Sequence, residues 1–355
     1  MSAPQYLNET AIEVLKELIS IPSFSGDEVR TADFIQLFLQ ENGIDTERKF
    51  NNVWCSSDNC APEAPTVLLN SHHDTVKHGT GWEGDPFEPK IEGDKLFGLG
   101  SNDAGASVVS LIATFIYLSK LPSLPVRLVL AITAEEEISG SKGVVCILEE
   151  LGAIDLAIVG EPTEMQLAIA EKGLVVLDCK SVGASGHAAR DEGVNAIYLA
   201  LQDIAFLQKH QFEKSSDLLG PVKLTVTQIQ AGRQHNVVPD SCEFVVDVRT
   251  NEHYSNQQVV EFLQDHLMAN VTPRSTRLNS SGIAPDHPIV QKGKSLGLSC
   301  YGSPTLSDQA LIDFTSIKIG PGKSSRSHTA NEYILLSEIR EGIDIYINLL
   351  KDLTL

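Results

Sequence analysis

The chain has 355 residues, and 47 acidic against 27 basic side chains give a formal net charge of −20. Charge of this sign argues against a general binder of nucleic acid or of anionic membranes, because phosphate binding requires a positive surface. With 42% hydrophobic and only 21% charged residues, the chain has material for a large core. This composition argues against intrinsic disorder and predicts two domains rather than one.

The N-terminal residues MSAPQYLNET show no basic segment followed by an apolar stretch, so the sequence predicts no secretory signal. Its apolar runs are shorter than the roughly 18 residues that a membrane span requires. The cysteines are scattered and form no C-x-x-C pair, which argues against a disulfide scaffold and against a zinc ribbon. We therefore expect a cytoplasmic protein with reduced thiols.

The first 172 residues alternate helical and strand patterns. Apolar residues at helical spacing predict one helix around residues 14–19 and another from residue 29 that stops at Gly43. Short apolar runs, typical of strands buried in a parallel sheet, follow at 66–70, 126–133 and 156–160, with a helical pattern over 107–121. This alternation predicts an α/β domain.

The pattern changes between about 173 and 281, where the order becomes β-α-β-β-α-β, typical of a small self-contained domain. The segments that carry this order are 174–182, 195–209, 222–230, 242–249, 256–267 and 275–280. After it, residues 316–320 predict one more buried strand, and apolar spacing over 339–350 predicts a terminal helix. The sequence thus predicts a doubly wound, mostly parallel α/β domain over 1–172 and 282–355, interrupted by a ferredoxin-like domain over 173–281.

Several predicted strands of the first domain run directly into residues that bind metal ions well. The groups at these strand ends are His72 with Asp74, Glu135 to Glu137, Glu161, and His328 beyond a Gly-Pro-Gly loop. Ligands of open α/β sheets bind beyond the carboxyl ends of the strands, so parallel neighbours would bring these groups to one rim. Asp103 belongs to the same prediction, because it lies directly before the long helix.

Imidazole and carboxylate groups are zinc ligands, and a catalytic zinc ion keeps one position open for water. The predicted rim offers more ligands than one such ion takes: His72, Asp103, Glu137, Glu161 and His328. The set fits two metal ions that share one carboxylate. Two adjacent ions can lower the pKa of water, polarise a carbonyl and stabilise an oxyanion.

Each of these residues also has a simpler interpretation. A histidine after a strand is more often a loop or core residue than a ligand. A run of glutamates is usually solvated, and an aspartate before a helix is an ordinary N-cap. The coincidence of several weak signals at one predicted place favours the metal site. A metal-stabilised interaction protein without catalysis stays open as an alternative.

Five segments in order resemble the metal motifs of the M20 metallopeptidases. They are HHDTV (72–76), GLGSND (98–103), TAEEE (133–137), GEPT (160–163), and GPG continued to HT (320–329). The resemblance covers essentially the whole chain and is strongest to the branch of acetylornithine, acetylcitrulline and acetyl-lysine deacetylases. Leu99 stands where arginine is common and Glu135 where the family often has aspartate. No ligand position is substituted, which implies an active enzyme.

The resemblance implies a ligand set for each of two zinc ions. His72, Asp103 and Glu161 would bind one ion. His328, Asp103 and Glu137 would bind the other, so that Asp103 bridges the two. Cobalt or manganese would accept the same ligands, and the sequence does not distinguish these metals from zinc.

The resemblance also implies roles for residues beside the ligands. Asp74 would fix the tautomer of His72. Glu136 would act as general base and then as general acid, taking a proton from the attacking water and passing it to the leaving amine. A cis peptide bond after Asp103 is a further feature of the family.

In the inserted domain, the segments around His187, Asn236 and Arg249 resemble the lid and dimerisation domain of the family. The resemblance implies a homodimer in which His187 reaches the active site of the partner subunit and donates to the oxyanion. Asn236 and Arg249 would bind the carboxylate of the substrate, for which the planar fork of arginine is well suited. The alternative for Arg249 is an ion pair with Asp247 or Asp240.

The sequence thus predicts an amide hydrolase that removes an acetyl or succinyl group from a small-molecule amino acid such as ornithine or citrulline, in arginine biosynthesis. Alternatives from the same family are an acetyl-lysine deacetylase, a succinyl-diaminopimelate desuccinylase and a small dipeptidase. The spacing of the motifs does not reveal the acyl group. A succinyl group would require an additional cation, for which Arg233, Lys323 and Arg326 are candidates.

Overall fold

The computed structural model describes residues 4–190 and 192–355, so residues 1–3 of the N-terminal segment lie outside the description. Its α-helices are α1 (Gln5–Ser20), α2 (Val29–Glu41), α3 (Ala106–Ser119), α4 (Leu148–Leu151), α5 (Ala196–Lys209), α6 (Asn256–His266), α7 (Pro288–Ser295) and α8 (Leu336–Leu350). Across these described ranges, we find no helix with the length and apolar character of a membrane span.

The strands fall into two groups along the chain. Those before residue 172 are β1 (Glu47–Lys49), β2 (Asn52–Ser56), β3 (Thr66–His72), β4 (Lys90–Glu92), β5 (Lys95–Phe97), β6 (Arg127–Thr133), β7 (Leu156–Val159) and β8 (Leu167–Glu171). The later ones are β9 (Gly173–Val182), β10 (Gly186–His187), β11 (Lys223–Ala231), β12 (Val237–Val238), β13 (Ser241–Thr250), β14 (Asn270–Pro273), β15 (Ser281–Gly282), β16 (Cys300–Ser303), β17 (Ser316–Lys318) and β18 (Tyr333–Leu335).

The chain divides into two compact units. The first extends to Ile169 and continues over Ile283–Tyr301 and Ser307–Leu355, and the second contains Ala170–Gly282 and Gly302–Leu306. The sequence predicts an inserted domain over 173–281 and gives no sign of the 302–306 segment. That segment begins within β16, which pairs with β8, a contact between distant parts of the chain that local periodicity does not predict.

The first unit has an α/β fold with a parallel centre, as the sequence predicts. Strands β6, β3, β7 and β17 lie side by side in that order and run parallel. On one side the sheet continues with antiparallel β2 and β1, and on the other β8 is antiparallel to β17. The central strands are continuous apolar runs because both faces of the sheet are covered, and Leu68, Leu69 and Leu130 are fully buried.

Helix α3 contains no charged residue and has large apolar side chains on all its faces, which is the pattern of a helix inside the core rather than on the surface. Most of its residues are buried, and it contacts both α1 and α8. The loop after β17 passes close to α3 at Gly320, where a Cβ atom would lie 2.5 Å from the carbonyl oxygen of Glu161. Glycine is required there by this close approach.

In the second unit, β9, α5, β11, β13, α6 and β14 follow one another in the predicted order, and the antiparallel sheet has the order β11-β13-β9-β14. Helix α6 begins with a capping box between Ser255 and Gln258. The last strand differs from the prediction of 275–280. It lies at Asn270–Pro273, where Val271 is buried, whereas only Leu278 is buried between 275 and 280. The weak apolar pattern over 275–280 therefore reflects the burial of Leu278 and not a strand.

Candidate metal centre

The carboxyl ends of the parallel strands meet at one rim of the sheet, and the predicted metal ligands lie there. Strand β3 ends at His72, β6 is followed by Glu136 and Glu137, and β7 is followed by Glu161. Two groups of side chains have potential ligand atoms within 4.8 Å of one another. One is His72 with Asp103 and Glu137, and the other is His72 with Glu136 and Glu161. The first unit thus contains a cluster of histidine and carboxylate side chains at the carboxyl ends of its parallel strands.

The carboxylate of Asp103 lies between the two histidines. Its Oδ1 is 3.5 Å from Nε2 of His72, and its Oδ2 is 3.6 Å from Nε2 of His328. Two ligand atoms of a tetrahedral zinc ion, each about 2.0–2.1 Å from the metal, lie roughly 3.3 Å apart. One carboxylate is therefore placed so that it could serve two adjacent candidate metal positions. The simpler interpretation of Asp103 is wrong, because α3 begins after Gly105 without a side-chain cap.

Each of the two positions has a further carboxylate. Oε1 of Glu161 lies 3.6 Å from Nε2 of His72, and Oε2 of Glu137 lies 3.0 Å from Nε2 of His328. His72 is thus close to Asp103 and Glu161, and His328 is close to Asp103 and Glu137, the carboxylates that the family resemblance implies for each histidine. Oε2 of Glu136 is 3.8 Å from Nε2 of His72, beside these sets.

Asp74 contacts both the predicted ligand His72 and the loop that carries Glu136 and Glu137. Its Oδ1 lies 3.4 Å from Nδ1 of His72, and its carbonyl oxygen lies 3.0 Å from the same nitrogen, which leaves Nε2 free for a metal ion. Its carboxylate also accepts from the backbone N–H groups of Glu136 at 3.0 Å and of Glu137 at 3.2 Å. Glu135 precedes them with φ 55°, a left-handed conformation that aims successive N–H groups at one anion.

The carboxylates of the cluster are buried and close together, so each one makes the negative charge of the others less favourable. Burial and the neighbouring carboxylates raise the pKa of Glu136 well above its usual range and that of Glu161 to about 8. Burial lowers the pKa of His72, but the charges of Glu136, Asp103 and Asp74 outweigh it and raise that pKa well above 6.5. Divalent cations would neutralise this charge, so the donor set fits metal ions better than it fits protons.

Glu332 is a part of the site that sequence patterns do not predict. It is 2% exposed, and its carboxylate accepts from the backbone N–H groups of Gly100 at 3.2 Å, Asn102 at 2.8 Å and Asp103 at 3.0 Å. Burial and the charge of Asp103 raise its pKa to about 8, against the effect of these N–H groups. The peptide bond between Asp103 and Ala104 is cis, as the resemblance implies.

A second buried carboxylate, Glu28, supports the Glu135 loop from behind. Its Oε1 accepts from the N–H of Gly26 at 2.6 Å and of Glu135 at 3.3 Å, and its Oε2 accepts from Asn51 at 2.7 Å. His73 follows the predicted ligand His72 in the sequence, but its side chain does not join the cluster. Its Nε2 lies 2.9 Å from the backbone carbonyl oxygen of Asn51.

Burial lowers the pKa of His73 from 6.5 to about 4, so the folded chain binds fewer protons than the unfolded chain between these pH values. The contribution of His73 to stability is therefore present above pH 6.5 and is lost as the pH falls toward 4. In metal-free protein, we expect it to account for about 2 kcal/mol of the loss in unfolding free energy between pH 7.5 and 5.

Urea unfolding of His73→Gln at both pH values checks this expectation. The variant should lose less stability on acidification than the wild type, whereas His78→Gln, which replaces an exposed histidine, should follow the wild type. Equal losses in all three proteins would contradict it.

Comparison with known proteins identifies the family of the chain. The family model "Peptidase family M20/M25/M40" matches residues 68–352, most of the length and every predicted metal ligand. The chain belongs to this family. Among curated proteins, it is 26% identical over 367 residues to a succinyl-diaminopimelate desuccinylase of Xylella fastidiosa, covering 94% of this chain and 96% of the relative.

Solved M20 structures share the fold. A tripeptidase from Staphylococcus aureus superposes with a TM-score of 0.80 at 19% identity, covering 97% of this chain and 98% of the other. A dinuclear metal-binding peptidase of family M20 from Bacillus subtilis gives a TM-score of 0.72 at 18% identity, covering 98% of each chain. As a member of family M20, the protein is a metal-dependent hydrolase.

The residues that the M20 resemblance selects in the second unit include two that are neighbours. His187 belongs to β10, which pairs with β12, and the N–H of Ala188 donates to the carbonyl of Asn236 at 3.0 Å. Nδ1 of His187 accepts from the N–H of Ala189 at 3.1 Å, which leaves Nε2 directed away from this turn. The structure thus places His187 at the end of a short antiparallel ladder, with Asn236 directly before the opposite strand.

Arg249 of the M20 protein makes the ion pair that the sequence leaves open as an alternative. Its Nε and one terminal nitrogen contact the two carboxylate oxygens of Asp247 at 2.8 Å and 3.1 Å. This bidentate pair uses the edge of the guanidinium that contains Nε, and the other terminal nitrogen takes no part in it. Binding of a substrate carboxylate by Arg249 stays a prediction.

Two of the three cation candidates for a succinyl group, Arg326 and Lys323, have ion-pair partners in the first unit. Arg326 forms a bidentate pair with Glu338 at 2.6 Å and 3.1 Å, and Nζ of Lys323 lies 2.9 Å from Oε2 of Glu164. The guanidinium of Arg326 also lies over the ring of Tyr333, 4.5 Å from its centroid, and a contact with a succinyl group stays a prediction for this residue. Arg233 is exposed in the second unit.

Proposed function

We propose that this M20 amidohydrolase removes an acetyl or succinyl group from the amino group of an amino acid such as ornithine or citrulline. The observation that carries the proposal is the Asp103 carboxylate divided between His72 and His328, with Glu136 beside it. The desuccinylase relative acts on an N-acylated amino acid by its name, which supports the same class of substrate. A place in arginine biosynthesis and in the cytoplasm stays a prediction.

The residues at the rim fit two divalent ions, and we propose zinc. His72, Asp103 and Glu161 would hold one ion, and His328, Asp103 and Glu137 the other. When bound, the ions would polarise the amide carbonyl and make water more acidic. The surplus of buried carboxylates described above supports this assignment, because bound cations offset it.

Glu136 is the residue that would move protons. It lies beside the proposed ligand sets, with Oε2 3.8 Å from Nε2 of His72, and burial with neighbouring carboxylates raises its pKa well above the usual range. A carboxylate with a raised pKa is a stronger base than an ordinary one, which supports a role in general acid–base catalysis. Its carboxylate would take one proton from the attacking water and deliver it to the leaving amine as the C–N bond breaks. The hydrogen bond from its N–H to Asp74 fixes the loop for both steps.

We further propose a homodimer that forms through the second unit. Strand β11 is an edge of its sheet, and Ile229 on this strand is 54% exposed. Helix α5 exposes Tyr198 at 64% and Leu201 at 49%. An open strand edge and apolar side chains exposed to solvent are features of protein interfaces, which supports the proposal. In this dimer His187 would donate to the oxyanion in the partner subunit, and Asn236 and Arg249 would bind the substrate carboxylate.

Action of His187 across the dimer predicts complementation between inactive subunits. A mixture of His187→Ala and Glu136→Ala subunits should regain up to roughly a quarter of wild-type activity, because random exchange forms some dimers with one intact site. The measurement is hydrolysis after subunit exchange, with exchange verified by differently tagged chains. Exchange without recovery of activity would show that His187 does not act in the partner.

A substrate panel tests the proposed function. We expect metal-free protein to be inactive, and Zn²⁺ to restore hydrolysis of N-acetyl or N-succinyl derivatives of ornithine and citrulline. Corresponding lysine derivatives, succinyl-diaminopimelate and dipeptides complete the panel. A kcat/KM for dipeptides above that for all acyl amino acids would contradict the proposal. Zinc binding without hydrolysis of any member would favour a metal-stabilised interaction protein.

A further inference from the structure

Three backbone N–H groups of the loop that carries Asp103 donate to one side chain that is distant in the sequence. Glu332 accepts from Asn102 and Asp103 through Oε1 and from Gly100 through Oε2, at distances of 2.8 to 3.2 Å. Its own carbonyl oxygen accepts from the N–H of Gly98 at 3.1 Å. The loop therefore places three of its N–H groups around a single buried carboxylate, and such charge-assisted bonds are stronger than neutral ones.

The same segment of chain carries the other histidine of the site. Glu332 follows His328 by four residues, while it is separated from Asp103 by 229. Asn102 adds a second connection, because its side chain donates to the carbonyl of Lys323 at 3.1 Å and accepts from the N–H of Lys323 at 2.9 Å. The position of Asp103 relative to His328 is thus set by contacts that involve neither metal nor substrate.

We propose that Glu332 is a positioning residue that holds the Asp103 carboxylate between His72 and His328 and thereby determines the affinity for the second metal ion. The inference rests on the dinuclear site of the proposed function. A bridging carboxylate must serve both ions at once, so a small displacement of its backbone weakens at least one bond. Outer partners of metal ligands change metal affinity by about 10–100-fold.

Glu332→Gln tests the proposal with little change in volume. The amide retains one acceptor oxygen for Asn102 and Asp103 but places an NH₂ group against the N–H of Gly100, so two donors face each other. We expect the second equivalent of Zn²⁺ to bind metal-free protein about 10–100-fold more weakly in calorimetric titration. The absorption spectrum of bound Co²⁺ should change as well, because the coordination of the bridged pair is altered.

Asp203→Asn is the matched control. Asp203 is 3% exposed in the second unit, and its carboxylate accepts from the backbone N–H groups of Met268 at 3.0 Å and Ala269 at 2.9 Å. Its loss should lower thermal stability without changing metal affinity. Should Glu332→Gln bind both ions as the wild type does, the proposal is overturned and Glu332 is only a structural residue like Asp203.

Hydrogen exchange in wild-type protein gives a test that does not depend on the folding of a variant. If Glu332 holds the loop before metal arrives, amides over 98–103 should exchange slowly in metal-free protein, and rapid exchange until metal is added would overturn the proposal. Titration also separates this inference from the proposed function. Wild-type protein that binds one ion would contradict both, whereas two ions bound without hydrolysis of any substrate would contradict the function alone.

Discussion

Replacing Glu136 by glutamine is expected to lower kcat by about 10²–10⁴-fold, the usual contribution of a general acid and base. The amide has the size of the carboxyl group but cannot accept the proton of the attacking water. Because Glu136 lies outside both proposed ligand sets, binding of two Zn²⁺ ions should stay within about threefold of the wild type, well below the loss expected from a ligand or its outer partner.

The control is Glu135→Gln on the same loop. Its carboxylate accepts from the N–H of Lys142 at 3.0 Å instead of contacting the cluster, so kcat should change little. Measurement of kcat and of metal stoichiometry on all three proteins decides the question. Wild-type turnover by Glu136→Gln would remove Glu136 from the mechanism, and loss of a metal ion would make it a ligand instead.

Asp103→Asn is expected to have the largest effect on metal binding. An amide offers one oxygen where the carboxylate offers one to each side, toward His72 and toward His328. We expect one of the two ions to be lost, with an affinity decrease beyond the roughly 10–100-fold that follows from changing an outer partner. Activity should fall with it, because the proposed reaction uses both ions.

Calorimetric titration of metal-free protein with Zn²⁺ measures the stoichiometry directly. Asp155→Asn is the matched control, since Oδ2 of Asp155 accepts from the N–H of Thr66 at the opposite end of β3 from His72. It should bind two ions with wild-type affinity. Two ions bound by Asp103→Asn with unchanged affinity would contradict a bridging role for this carboxylate.

Buried carboxylates outside the ligand sets share one function in this site. Asp74, Glu28 and Glu332 each accept hydrogen bonds from backbone N–H groups of loops that carry the predicted ligands or the predicted base. Loops are generally more mobile than the strands they follow. These carboxylates therefore supply the order that a metal site with fixed distances requires.

Much of the fold and the cluster follows from local patterns. The continuous apolar runs of β3, β6 and β7 predict buried parallel strands, and the polar residues directly after them predict a site at their carboxyl ends. Periodicity works here because it records the burial of each residue within its own element. The same reasoning fails at 275–280, where one buried leucine resembles the start of a strand.

Local sequence patterns do not predict which ion-pair partner a charged side chain takes. The sequence offers Arg326 to a substrate, but the structure pairs it with Glu338, and it offers Arg249 either to a substrate or to Asp247, with which it forms a bidentate pair. Both arginines have several acidic residues within reach along the chain, and only the packed structure selects among them.

The sequence by itself determined the α/β fold, the membership of family M20 and the types of residue that gather at the rim, because these depend on local composition and on ordered motifs. Only the tertiary structure decided that the two oxygens of Asp103 face different histidines and that Glu332, 229 residues away, holds the backbone beneath it. The physical reason is distance along the chain. A hydrogen bond between remote segments leaves no periodic trace in either, so its partners become known only when the core has brought the segments together.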